Sequence, residues 1–208
     1  MTIYLMKIFF AFLFFFVANG LFGQTDRTRY SLQYSLNRAD ATGYGPAQYF
    51  DPGVSHNIFM IAELASRRTS RFTIGAGFLH TKLISSYMDY STNETTEEHS
   101  NNHYWVIPGG VKFSFGSFFI HPEIAATYNY CCVTNLYAVD VDMNIADEPY
   151  EIRKRQASLE ILFASFMTIG YEIKLGSSKI LTGLKGYYTP SNLYVNTFGI
   201  GVMVGVKI

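Results

Sequence analysis

The stretch FGIGVMVGVKI, residues 198–208, decides the fold. Its even positions are Phe198, Ile200, Val202, Val204, Val206 and Ile208, and its odd positions are Gly199, Gly201, Met203, Gly205 and Lys207. Strict alternation of this kind marks a β-strand with one oily face and one face that is small or charged.

Working outward from it, the same period of two recurs along the chain, while helical periodicity is hard to find after the N-terminal segment. Residues 28–37 set Tyr30, Leu32, Tyr34 and Leu36 against Ser31, Gln33, Ser35 and Asn37. Residues 55–66 set Ile58, Met60, Ala62 and Leu64 against a face holding Glu63, and 71–84 set Phe72, Ile74, Ala76 and Phe78 against Thr73, Gly75 and Gly77. Further strands are expected at 103–115, with Lys112 opposite Val111 and Phe113, and at 118–130, with His121 and Glu123 opposite Ile120 and Ile124. Residues 156–175 carry Glu160 and Glu172 on the face away from Ile161, Phe163 and Ile169, and 179–189 carry Lys185. With the terminal stretch these make eight strands.

The connections alternate in length. Residues 38–54, 85–102 and 131–155 read as long loops, and 67–70, 116–117 and 176–178 as tight turns. Such a meander is the pattern of an all-β, eight-stranded antiparallel up-and-down transmembrane barrel, with long extracellular loops and short periplasmic turns. A sheet in lipid must satisfy every backbone group and therefore closes on itself, and about 9 to 11 residues cross the bilayer in each strand. The oily set then faces lipid, and the charged set Glu63, Lys112, His121, Glu123, Glu160 and Lys185 faces the lumen as a polar network. Gly199, Gly201 and Gly205 leave room in that narrow lumen, so an added methyl at Gly205 is expected to be mild. Tyr87, Tyr104, Trp105, Tyr128, Tyr130, Tyr188 and Tyr194 sit near the long-loop ends, where an aromatic girdle is expected.

The N-terminal segment supports export. Lys7 precedes an unbroken apolar run from Ile8 to Ala18, followed by small residues up to Gln24. That run is too short for a spanning helix, which needs about 20 residues, and reads as a cleaved signal peptide over 1–23 ahead of a barrel domain over 24–208. Charged residues are 15% of the chain, against about 25% in ordinary soluble domains, and the formal charge is zero. A nucleic-acid partner, which calls for a basic surplus, is not expected. Cys131 and Cys132 are the two cysteines, so a disulfide-stapled scaffold is excluded, and adjacent cysteines rarely bond to each other.

Gln24 after the signal, IPGGVKFSFG at 107–116, GYEIKL at 170–175 and the terminal strand resemble the eight-stranded outer-membrane barrel domains of Bacteroidetes, akin to outer-membrane protein A barrels and PorT-like proteins. The resemblance covers essentially all of the chain after the signal. It implies residence in the outer membrane and insertion by the barrel-assembly machinery, which reads the last strand; Ile208 stands where the commonest ending has an aromatic residue.

The competing fold is a soluble lipocalin-like barrel, which places apolar residues inside and polar ones outside. Alternation alone does not say which face is inside.

Motifs for chemistry are weak. DVDMNIADEPYE at 140–151 places Asp140, Asp142, Asn144 and Glu151 at calcium-ligand positions, but Ile145 stands where the loop needs glycine, so it reads as a solvated acidic loop. Glu97, Glu98, His99 and His103 have a spacing useful for a metal only on a helix, and TTEEHSNNH reads as loop. Small lipid-modifying barrels carry a His-x-Ser pair, and none of His56, His80, His99, His103 or His121 has serine two residues on. No catalytic, cofactor or metal residue is therefore expected. The reading is a non-enzymatic monomer whose lumen is filled by side chains and whose partners are membrane lipid and an unidentified surface or secretion component. A narrow pore is the alternative, and a lipid-modifying enzyme or a soluble ligand binder stands behind it.

Overall fold

A computed structural model describes residues 28–43, 48–65, 69–89, 94–139, 145–146, 148–156, 161–190 and 195–208. These form nine strand segments: β1 (Arg29–Gly43), β2 (Gln48–Ala65), β3 (Ser70–Asp89), β4 (Glu94–Phe115), β5 (Phe118–Val139), β6 (Glu151–Gln156), β7 (Ile161–Leu175), β8 (Ser178–Thr189) and β9 (Val195–Lys207). Their order is β4-β3-β2-β1-β9-β8-β7-β5-β6, and β4 pairs with β5 as well, so the sheet closes. Both β6 and β7 lie antiparallel to β5, with Cys131 opposite Gln156 and Tyr128 opposite Ile161. They are two parts of one wall, and the barrel has eight. The segment read as a signal peptide lies outside the described residues, as does Glu160.

β9 makes the closing seam. Leu36 lies opposite Val202 and Tyr34 opposite Val204. The Ile208 N–H donates to the Tyr30 carbonyl at 2.9 Å, and the Tyr30 N–H donates back at 3.2 Å. The two faces then separate the side chains: Ile200 and Val202 are 64% and 62% exposed, while Lys112 and Glu63 are 2% and 1% exposed. A lipocalin-like barrel would show the reverse, so the soluble alternative is set aside. An apolar exterior around a closed ladder is the arrangement that lipid requires, because closure leaves the sheet no open edge.

Phe115 pairs with Phe118 and Leu175 with Ser178, enclosing the two-residue turns Gly116-Ser117 and Gly176-Ser177. Gly116 and Gly176 have φ of 66° and 61°, the left-handed region that two-residue hairpins use and that a side chain disfavours. Three prolines lie within the described walls, and the first, Pro52, falls at the register shift between Asp51 and Val54 of β2. The β3–β4 ladder skips from Ile74–Gly109 to Gly77–Val106 around Pro108, and the β4–β5 ladder skips from Gly110–Glu123 to Phe113–Ile120 around Pro122. Proline has no N–H to give a ladder, so it sits where pairing lapses.

The long connections are a correction to the sequence reading. Strands continue far into 38–54, 85–102 and 131–155, and TTEEHSNNH lies wholly inside β4. Polar side chains bind across the extended hairpin: Ser100 and Thr134 hydroxyls are 3.2 Å apart, and Asn129 Nδ2 donates to Asn102 Oδ1 at 3.5 Å. Away from lipid neither face needs to be apolar, so the ladder continues without the alternation that reveals it.

Candidate functional site

Four charged side chains from four different walls meet at the turn end of the lumen. Lys112 Nζ on β4 donates to Glu63 Oε1 on β2 at 2.8 Å and to Glu172 Oε1 on β7 at 2.6 Å. Lys207 Nζ on β9 donates to Glu63 Oε2 and to Glu172 Oε1, both at 2.7 Å. In the closed order β2 stands across from β7 and β4 across from β9. The two carboxylates therefore face each other across the barrel, as do the two ammonium groups, and the four bonds tie opposite walls together. Arg71 adds an ion pair to Glu63 at 3.8 Å, and Lys179 adds a bond to the second oxygen of Glu172. Lys112 also lies over the Phe119 ring, 4.2 Å from its centroid.

Farther from the turns, Lys185 Nζ donates to Glu123 Oε2 at 3.1 Å and sits 4.3 Å from the Phe59 centroid. His121 Nε2 is 2.8 Å from Thr73 Oγ1 and 3.7 Å from Glu123 Oε1. A nucleophile–base–acid relay needs hydroxyl and carboxylate on different ring nitrogens, and here both meet the same one. Beyond these groups Phe59, Ile61, Leu79, Val106, Phe166 and Tyr187 pack as a buried apolar cluster. Phe59 and Phe166 meet edge to face at 5.3 Å. Ionic and aromatic side chains thus share the lumen.

Of the six residues read as one network, the structure divides five into two groups, Glu63 with Lys112 and His121–Glu123–Lys185, and the sixth, Glu160, lies outside the described residues. Glu172 and Lys207, both on the inward face by parity, complete the first group. Phe198, Ile200, Val202, Val204, Val206 and Ile208 all project outward.

Among the girdle residues, Trp105, Tyr130 and Tyr188 face outward, and Trp105 packs on Phe78 with ring centroids 3.9 Å apart. Tyr128 shares their face by strand parity, and the side chains of Tyr87 and Tyr194 lie outside the described residues. Tyr104 does not belong to the girdle: it packs against the lumen cluster. Adjacent residues of a strand point to opposite faces, so Tyr104 and Trp105 could not both meet lipid. A second grouping escaped the sequence reading altogether. His56, His80 and His103 lie side by side on β2, β3 and β4, next to Ile58, Phe78 and Trp105 on the outer face. The available signal was parity with those apolar residues.

No group of three or more His, Cys, Asp or Glu among the described residues is arranged to hold a metal ion. In the acidic segment, Glu151 is bound by the Arg153 guanidinium at 2.8 and 2.9 Å, which holds its carboxyl below the ordinary range. Asp140, Asp142 and Asn144 lie outside the described residues. Cys131 and Cys132 form no disulfide.

No protein-family model matches the sequence, and no curated protein matches it. Solved structures do. Ail, the attachment invasion locus protein of Yersinia pestis, superposes with a TM-score of 0.54 at 6% identity, covering 88% of this chain and 99% of that one. The outer membrane protease OmpT from Escherichia coli gives a TM-score of 0.44 at 7% identity, covering 88% and 96%. Neisserial surface protein A gives 0.35 at 13%, covering 86% and 96%. The likeness to Ail is one of fold. The fold is the outer-membrane β-barrel. A closed antiparallel wall with an apolar exterior resides in an outer membrane.

Proposed function

We propose that this is a non-enzymatic outer-membrane barrel with a sealed lumen, acting through the β-hairpins that rise beyond the apolar band. The observation that carries the reading is the ring of bonds among Glu63, Lys112, Glu172 and Lys207, which joins opposite walls across the lumen. Eight strands leave an interior that side chains just fill, and charged groups so paired are costly to separate. A solute path would have to break that ring and also pass Phe59, Phe166 and Tyr187. The single-nitrogen contacts of His121 support the absence of a catalytic relay.

IPGGVKFSFG and GYEIKL support a place among the Bacteroidetes-type barrels akin to PorT. On this reading the chain works as a monomer, surrounded by outer-membrane lipid, inserted by the barrel-assembly machinery, and met by a surface or secretion partner at its hairpins.

The experiment is conductance in planar bilayers, paired with mass spectra of lipid A from a strain lacking the protein. A silent bilayer and unchanged lipid A are expected. Stable, large single-channel steps would favour the pore, and a lost lipid A species would favour the enzyme.

A further inference from the structure

The three stacked histidines on the outer face are not needed by a sealed barrel. His56 lies opposite His80, and His80 opposite His103. Their rings are nearly parallel, 6.0 Å apart at 10° for His56 and His80, and 4.5 Å apart at 13° for His80 and His103. They point outward, because Ser55, Asn57, Leu79 and Thr81 on either side of them are buried. The Tyr34 hydroxyl closes one end at 2.7 Å from His56 Nδ1, and the Tyr130 ring lies 5.9 Å from His103 at the other.

The height of this row matters. On the turn side, the next outward residues are Ile58, Phe78 and Trp105, which belong to the apolar band. On the hairpin side come Val54, Lys82 and Asn101, paired in that order, with Arg38 opposite Val54. About ten residues carry a strand through the hydrocarbon, so the row stands where hydrocarbon gives way to headgroups.

The charges facing the row are unequal in sign. Arg38 from β1 and Lys82 from β3 are exposed cations. The other groups facing the row, Tyr34 from β1 and Tyr130 and Cys131 from β5, are not carboxylates. Glu63 of β2 and Glu123 of β5 point into the lumen, and the other described carboxylates on these walls stand farther up: Asp40 beyond Arg38, with Oδ1 accepting the Ala41 N–H; Asp51 beyond a bulge from Val54; Glu97, held by His99; and Glu98, opposite the buried Ser85 and accepting from the Ser100 hydroxyl. Protonating adjacent imidazoles without a counter-charge is unfavourable, and an anion lying across them removes that penalty. The anion that surrounds a barrel at this height is lipid phosphate.

We propose that His56, His80 and His103, with Arg38 and Lys82 above them, form a binding site for phosphomonoester-bearing lipid headgroups of the surrounding leaflet, engaged as the imidazoles protonate. A phosphomonoester is the fitting class because it carries close to two negative charges and three acceptor oxygens, and the row offers several ring N–H donors beside two permanent cations. Binding tightens as pH falls through the imidazole range and weakens again once the phosphate loses its second charge.

The test uses the folded barrel in nanodiscs of phosphatidylcholine, alone or with a minor share of phosphatidic acid, or of phosphatidylglycerol at matched membrane charge. Imidazole C–H resonances are followed from pH 8 to pH 5. The midpoints of His80 and His103 should lie about one pH unit higher in phosphatidic acid than in phosphatidylglycerol, a tenfold preference, while His99 should not distinguish the two lipids. Equal midpoints in the two anionic lipids would reduce the effect to surface potential and overturn the site. The same rise from dissolved inorganic phosphate in phosphatidylcholine discs would overturn the lipid assignment. Arg38→Gln with Lys82→Gln, in protein that retains heat-modifiable migration, should shrink the excess, and an undiminished excess would remove those cations from the site.

Discussion

Glu63 and Glu172 stand on opposite walls of the barrel and share the same two lysines, Lys112 and Lys207. Each carboxylate is nearly closed to water, as is each ammonium group. Neither pair is adjacent in the sheet, so the cluster depends on the diameter of the closed barrel and not on any one hairpin. It links walls that no single hairpin joins.

Lys112→Met should therefore destabilise the barrel without opening it. The substitution leaves Glu63 and Glu172 with Lys207 as a shared donor, and removing one partner of a buried pair commonly costs about 3 to 5 kcal/mol. Denaturant unfolding in lipid vesicles, followed by Trp105 fluorescence, should show that loss. Conductance should stay silent, since the aromatic cluster remains. Large channel steps from the variant would mean that the ions alone had closed the lumen.

Gly201→Ala and Gly205→Ala should both impair closure, contrary to the mild effect that the sequence suggests at Gly205. A Cβ on Gly205 would lie 2.6 Å from the Leu32 carbonyl oxygen, and one on Gly201 would meet the backbone of Leu36 and Asn37 still more closely. These glycines are needed because β1 approaches β9 tightly at the seam, and the obstacle is backbone, which cannot rotate away. Overpacking of this kind costs about 1 to 3 kcal/mol. Gly201→Ala that folds in lipid with wild-type yield and stability would show that the seam can widen.

How much of this was legible follows from where physics imposes a pattern. Within lipid, alternation is compulsory, so eight strands and their faces could be read from runs such as Phe198 to Ile208. Above the lipid it is not, and β4 was missed from Glu94 to Asn102 because His99, Asn101 and Glu97 share a face without any apolar marker. Register was also invisible. The union of Lys112 with Glu172 and the stacking of His80 on His103 depend on which residues stand level in different strands, and parity within each strand does not supply that. Tyr104 differs: parity alone excluded it from the lipid face beside Trp105, and grouping by nearness to the loops hid the fact.

Topology should follow the two kinds of connection. Gly116 and Gly176 belong to two-residue turns at one end of the barrel, whereas β3, β4 and β5 run far past the apolar band at the other. Tags inserted after Asn93 or Ala146 should be reached by antibody on intact cells, and a tag after Thr69 should be reached only after the outer membrane is breached. Labelling of Thr69 on intact cells would invert the barrel.

The lipid face itself is tested most sharply by depth. Val202 is 62% exposed, lies between Leu36 of β1 and Leu184 of β8, and has apolar outward neighbours in both directions along β9. Arginine there must bring its charge into the apolar band, at about 2 to 4 kcal/mol near the midplane. Thr42 is also exposed and outward, but it pairs with Asn196 beyond the band, where the same charge costs about 0 to 1 kcal/mol. Neither residue touches the lumen, so the comparison isolates the surroundings of the outer face. Val202→Arg should fold poorly and Thr42→Arg nearly normally, as read from the fraction of outer-membrane protein that changes gel migration on boiling. A soluble barrel would accept arginine at both exposed positions, so equal, undiminished folding of the two variants would remove lipid from around β9.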